Sequence, residues 1–166
     1  MSFMSLAADR ESNPVDTIEQ VAHFNDWMFE RSGEHEISIS VTGGESDYHI
    51  SFSWMDNLET LHLACAFDLK VPEKRQVETV RLLALINEQL YVGHFDLWTS
   101  EGVVMYRQGL ILAGGAEPST TQCEAMLGAA LEACERYYQA FQFVVWAGRP
   151  ASEALAATLF ETMGEA

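Results

Sequence analysis

Between residues 37 and 67 three stretches carry apolar residues at every second position, and this alternation constrains the fold more than any other feature of the chain. Ile37, Ile39 and Val41 alternate with Ser38 and Ser40. Tyr48, Ile50, Phe52 and Trp54 alternate with His49, Ser51 and Ser53. Leu61, Leu63, Cys65 and Phe67 alternate with His62, Ala64 and Ala66. Side chains on a strand point to opposite faces in turn, so each stretch is a strand with one apolar face. Three in succession with short connections predict an antiparallel meander covered on one side.

The second connection sets a register. With Asp56-Asn57 as a two-residue loop, Met55 faces Leu58, Phe52 meets Leu61, Ile50 meets Leu63 and Tyr48 meets Cys65. All apolar residues then share one face, and a slip by one residue would scramble that. The same register sets His49 opposite Ala64 and Ser51 opposite His62. The two imidazoles become diagonal neighbours on the polar face, ~7–8 Å apart at their backbones. A metal would need a third ligand there, and the neighbours are serines and alanines. A solvated or partner-facing histidine pair is the expectation, and no cofactor or metal is expected.

Helices flank this meander. Asn13-Pro14 reads as an N-cap followed by Pro at the first helical position. Val15, Ile18, Ala22 (or Val21), Trp27 and Phe29 follow at roughly helical spacing, and Ser32-Gly33 ends that first helix. Residues 1–12 form an unpatterned, mobile lead, leaving 13–166 as a single domain. After the meander, Val71-Pro72-Glu73 opens a second helix whose buried face is Val77, Val80, Leu83, Ala84, Ile86 and Leu90. Its end, LLALINEQLYVGHFDLW over residues 82–98, changes from helical to alternating period at Gly93. Two further strands follow, His94 to Thr99 and Val103 to Leu112, joined by Ser100-Glu101-Gly102 with Gly102 in the left-handed region. Both of them carry apolar residues on both faces, which leaves their register uncertain by one. Asp96 and Arg107 face each other there if Glu101-Gly102 alone makes the turn.

Ser119 or Thr120 caps a third helix. FQFVVWAG, residues 141–148, either continues that helix or forms a short strand, and a break near Gln139 is expected. Ala151 to Met163 is a last short helix. The predicted fold class is α+β: five antiparallel strands with helices on one side, in the order α-β-β-β-α-β-β-α with a final α. Ile50, Phe52, Leu61, Leu63, Leu83, Ile86 and Leu131 should share one core.

At 166 residues a chain can bury roughly 70% of its unfolded surface, so the core needs no staple. Cys65, Cys123 and Cys134 are odd in number and lack C-x-x-C spacing, which fits reduced buried thiols. Charge narrows the partners. Nine Lys and Arg against 25 Asp and Glu leave a net charge of −16. Such a surface repels phosphate backbones and anionic lipids, so neither nucleic acid nor membrane is an expected partner. The first residues carry no signal peptide and no stretch approaches the ~18 apolar residues of a membrane span, giving a cytoplasmic expectation. There is no G-x-S-x-G elbow, no phosphate loop and no Cys beside a basic residue in sequence. No catalytic residue is assigned.

Three segments together resemble the YbjN family of bacterial sensory-transduction regulators. They are ISFSWMDNLETLHLACAFDLKVP, LLALINEQLYVGHFDLWTSEGVVMYRQGLIL and CEAMLGAALEACERYYQAFQFVVWAG. LINEQL with GHFDLW, and ERYYQAFQFVVW, are the most specific parts, and the resemblance spans roughly residues 13 to 163. It implies a fold like that of type III secretion chaperones. It also implies a non-enzymatic module that binds a protein or peptide client, as a homodimer. A free sheet face and a strand edge suit such a client. Trp98, Val104 and Tyr106, on the less obviously buried side of the second hairpin, are the candidate dimer or client surface, together with His49 and His62. The alternative is a small-molecule sensor or an enzyme with a pocket between the sheet and the C-terminal helix. Phe141, Phe143, Trp146 and Gly148-Arg149-Pro150 would line that pocket.

Overall fold

The computed structural model describes residues 10–164, with side chains through residue 159. The elements are α1 (Pro14–Phe24), β1 (Met28–Arg31), β2 (Glu36–Thr42), β3 (Asp47–Met55) and β4 (Thr60–Lys70), followed by α2 (Gln76–Asn87). The chain then forms β5 (His94–Trp98), β6 (Val103–Ile111), α3 (Thr120–Val145) and α4 (Ala151–Gly164). The strands make one antiparallel sheet in the order β1-β2-β3-β4-β6-β5. This is the α+β class expected, with six strands in place of five.

The sixth strand comes from an early helix stop. The Asn13 side chain accepts from the Val15 N–H and starts α1 as anticipated. Asn25 then donates its side-chain N–H to the Val21 carbonyl, and Asp26 turns into the left-handed region at φ 54°. The Trp27 N–H returns to the Ala22 carbonyl at 2.9 Å. This left-handed closure ends the helix at Phe24, and Met28–Arg31 leave as β1 to pair with β2. Trp27 still packs on the core, which is why its spacing imitated a continuing helix.

The meander holds, but its second hairpin is shifted by two residues. Asp56–Leu58 form a 3-10 turn and Glu59 is left-handed at φ 45°, so Met55 pairs with Thr60 across a four-residue loop. Phe52 therefore pairs with Leu63 and Tyr48 with Phe67. A shift of two conserves the face, so every residue expected inside remains inside. Ile37, Ile39, Tyr48, Ile50, Phe52, Leu61, Leu63 and Cys65 are fully buried against the helices. Leu83 and Ile86 join that core, and Leu131 packs against it half-buried.

The side of α2 expected to be buried is only partly so: Leu90 packs half-buried on the core beyond the helix, but Ala84 is exposed. Thr79, Leu82, Leu83 and Ile86 are buried, whereas Val77 and Val80 are exposed. The helix begins at Gln76 beyond a 3-10 turn, and Arg75 ties that turn to the end of α3. Its Nε donates to the Val144 carbonyl at 2.9 Å and its Nη2 to the Arg149 carbonyl at 3.3 Å. That anchor fixes the rotation of α2 about its axis and leaves the two valines outside.

No break interrupts α3. A capping box joins Ser119 and Gln122, and 26 residues then run unbroken for ~39 Å. The residues after Gln139 stay helical because Ala140, Phe141, Val144 and Val145 fall on the face turned to the core. Phe67 and Phe95 centre the aromatic cluster beneath: Phe141 lies 5.5 and 5.3 Å from them, with Tyr138 5.4 Å from Phe67 and Tyr137 6.0 Å from Phe95. Such tilted and edge-to-face pairs suit aromatic quadrupoles. Cys65, Cys123 and Cys134 are buried free thiols.

The lead expected over residues 1–12 falls outside the described residues up to position 9. Arg10 itself is held. Its guanidinium donates to the carbonyls of Leu112 and Ala116, meets Glu59 at 3.4 Å and stacks 4.4 Å from the Trp54 ring centroid.

Candidate partner-binding surface

Helices α1, α2 and α3 pack on the sheet over its buried face, and α4 packs on α2 and α3. The opposite face carries the intervening residues, among them Ser38, Ser40, His49, Ser51, Ser53, His62, Ala64 and Arg107. Small and polar side chains there follow from the period-2 pattern, and they make a shallow, solvated surface.

The hydrogen-bond pattern treats the two sheet edges differently. On β5, Asn87 bonds both free backbone groups of Phe95: its Oδ1 accepts from the Phe95 N–H at 2.8 Å and its Nδ2 donates to the Phe95 carbonyl at 3.1 Å. The Leu97 N–H is taken by the Asp96 carboxylate at 3.1 Å. Three of the four outward backbone groups of Phe95 and Leu97, all but the Leu97 carbonyl, are thus taken up by side chains, which hinders strand addition at this edge.

On β1 the Ser32 N–H bonds the Glu36 carbonyl, so Glu30 and Met28 are the inward-bonded positions by alternation. The backbone groups of Phe29 and Arg31 then point away from the sheet, and among the described residues nothing bonds them. Phe24 is 85% exposed and Met28 78%, and Phe29 is also exposed. Monomeric proteins normally blunt an open edge bordered by apolar side chains with charges, Pro or a covering loop. Asp26 and Glu30 are exposed beside it. The Arg31 guanidinium is occupied by Asp16 at 2.9 Å and Glu19 at 3.7 Å.

The residues expected to form a partner surface are dispersed. Val104 and Tyr106 are fully buried, so the hairpin face they share is the core face and not a free one. The pairing Leu97 with Val104 and Phe95 with Tyr106 sets this parity, which the apolar character of both faces had left open. Tyr106 stacks edge-to-face on Phe95 at 5.6 Å and donates its hydroxyl to the Val92 carbonyl at 3.0 Å. Gly93 has φ +70°, and a Cβ there would lie 2.2 Å from the Tyr106 hydroxyl, so the period change at this position needs glycine. Trp98 points the other way and is 44% exposed.

The histidine pair is also separated. His49 faces Ala66 and His62 faces Ser53, since the hairpin loop is longer by two residues. His62 instead meets β6: the Arg107 Nε donates to its Nε2 at 3.1 Å. Burial, reinforced by Arg107 and His94, pushes the His62 imidazole below its ordinary value. Arg107 also reaches Asp96 at 3.2 Å, although Asp96 pairs with Met105 and Arg107 with His94. The contact is diagonal, not directly opposite.

The aromatic run expected to line a ligand pocket fills space instead. Phe141 is buried in the ring cluster, Arg149 stacks 4.8 Å from the Phe143 centroid, and Trp146 is exposed. Among the described residues no three His, Cys, Asp or Glu side chains come together to hold a metal ion. No helix of the described residues is long and apolar enough to cross a membrane.

The β1 edge escaped the sequence reading altogether. Its signal was present as Asn25-Asp26, two residues that favour a helix end and left-handed backbone, set inside an otherwise periodic stretch.

Comparison with known proteins agrees with this architecture. No curated protein matches the chain. Among solved structures, "YbjN, a putative transcription regulator from E. coli" aligns with TM-score 0.53 at 11% identity, covering 89% of this chain and 93% of that one. A chain of the ExsC–ExsE complex aligns with TM-score 0.50 at 17% identity, covering 82% of this chain and 94% of that one. At these identities the likeness is one of fold, and it is the chaperone-like fold that was expected. The family model YbjN, "Putative bacterial sensory transduction regulator", matches residues 14–143. With that match across the whole sheet and most of α3, the chain belongs to the YbjN family.

Proposed function

We propose that this protein is a non-enzymatic binding module, acting in the bacterial cytoplasm, that takes an extended segment of a partner polypeptide as an added strand on β1. The observation that carries this reading is the contrast between the two edges: β5 is blunted by Asn87 and Asp96, while Phe29 and Arg31 leave their backbone groups unpaired. Main-chain hydrogen bonds would supply affinity, and Met28 and Phe29, on opposite faces of β1, together with Phe24 would favour apolar residues on the incoming strand. Asp26, Glu30 and the net charge of −16 favour a segment that also carries Lys or Arg. ExsC, solved in a complex with ExsE, is a protein of similar fold with a protein partner, which supports the class of function.

A homodimer is part of the proposal, with Trp98 on the open face as its candidate contact and His49 on the same face as a further partner-facing residue. The test starts from a partner captured on immobilised wild-type protein and identified. Phe29→Pro removes an outward N–H and Phe24→Asp removes apolar surface, and each should abolish capture while the circular-dichroism spectrum stays native. Capture that survives both variants sinks the strand-addition reading.

A further inference from the structure

At the far end of the sheet from β1, β4, β6 and the approach to β5 enclose an open concavity of about 510 Å³. His62, His94 and Arg107 line it, with Tyr91, Val92 and Gly109. In a chain with 25 acidic residues, none of the residues lining this concavity is acidic. Its single full positive charge is also held in place. The Arg107 Nε donates to His62 Nε2 at 3.1 Å and Nη1 to Asp96 at 3.2 Å, and among the described residues nothing bonds Nη2. Asp96 lies outside the lining, and its other oxygen accepts from the Leu97 N–H.

Gln108, also in the lining, is tied to the Met126 carbonyl, and Tyr91 with Val92 supplies the apolar part of the wall. Tyr91 is 101% exposed and Val92 58%. The segment that carries them is nonetheless fixed, because Tyr106 donates its buried hydroxyl to the Val92 carbonyl. Gly109, opposite His62 on β6, contributes no side chain and keeps the floor open.

From this arrangement we infer a binding site for a small oxyanion, a carboxylate or phosphate carried on an apolar body. Arg107 pairs with the anion through its Nη2 group, His94 and the Nδ1–H of His62 stand beside it as further donors, and Tyr91 with Val92 covers the apolar part. A carboxylate or phosphate on a guanidinium forms charge-assisted bonds, the strong class of hydrogen bond. The overall negative charge of the protein makes selection local: an anion is repelled elsewhere and finds this concavity as an exception.

The test uses the full chain and three probes, phenyl phosphate, benzoate and inorganic phosphate, followed through the histidine ring resonances. The expected result is saturable movement of His62 and His94 with phenyl phosphate or benzoate while His23 stays still. Inorganic phosphate should bind more weakly, because it lacks the apolar body. Arg107→Gln should weaken binding about tenfold or more. Val92→Asp alters only an exposed side chain and places a negative charge in the wall, so it should weaken binding even if Arg107→Gln perturbs the sheet. Whichever of the two organic anions binds more tightly identifies the headgroup. Non-saturating shifts, equal movement of all histidines, equal affinity for neutral benzyl alcohol, or undiminished binding by Val92→Asp would each overturn the site.

Discussion

The Tyr48 hydroxyl donates to the Glu135 carboxylate at 2.8 Å, tying β3 to the middle of α3. The same carboxylate accepts from the backbone N–H groups of Gly44, by a short contact, and of Glu45 at 2.9 Å. One side chain on the longest helix therefore organises the β2–β3 loop. Gly43 is part of the arrangement, since a Cβ there would come within 2.4 Å of both Glu135 and Tyr48.

Glu135→Ala should destabilise the fold by about 1–3 kcal/mol, because it leaves a buried hydroxyl and two loop N–H groups without their acceptor. Urea denaturation measures the loss. Hydrogen exchange should accelerate at Gly44 and Glu45 while β4 and β6 amides are unchanged. Unchanged exchange in the loop would mean that the carboxylate does not hold it.

Alkaline stability is set by buried hydroxyl and thiol groups. Burial pushes Tyr106 up to about 12 from 10.0 and Cys123 up to about 11 from 9.0, and burial with the Glu135 bond raises Tyr48 further. Each group has a folded value above its unfolded one. Its contribution is complete below the unfolded value and is lost as pH rises through the folded value. Stability should thus fall from pH 9.0 for the thiol and from pH 10.0 for the tyrosines. The pH slope in denaturation experiments should be shallower in Tyr48→Phe. A slope unchanged by that substitution would contradict the assignment.

On the acid side the sign is opposite. His62 is held below 6.5 by burial first and then by Arg107 and His94, so its neutral form belongs to the folded state. Stability present above 6.5 should be lost as pH falls through that value towards the folded one. Ring-proton titration should give His62 a midpoint below 6.5, rising only part of the way in Arg107→Gln because burial is the larger cause. A wild-type midpoint at or above 6.5 would refute the buried, cation-facing environment.

Trp98 and Leu63 should behave oppositely. Leu63, fully buried in the central part of the sheet, should cost ~2–5 kcal/mol when replaced by Ala. Trp98 is 44% exposed on the open face, so Trp98→Ser should cost less than ~1 kcal/mol of folding stability. Sedimentation velocity should show weaker self-association in that variant. A wild type that stays monomeric at high concentration would remove the dimer from the proposal.

Local features were legible in the residues alone. Alternation in residues 37–67 specified three strands and their buried face, Asn13 and Ser119 specified two helix starts, and Gly93 and Gly102 marked the turns around β5. Even the misplaced hairpin register left the core intact, because a shift by two returns each side chain to its own face. What depends on distant partners was decided only in three dimensions. Whether Val104 and Tyr106 face the core rests on pairing with β5 and on α3 above them, and both faces of that hairpin are apolar enough to serve. His62 meets Arg107, 45 residues away, instead of His49, because the loop length sets which rows align. The blunted edge at β5 requires Asn87 to reach across from the end of α2, and the open one at β1 exists because two residues stop α1. Periodicity records the environment of one element at a time. Edges, registers and cross-strand pairs are relations between elements, and packing alone selects among those the pattern allows.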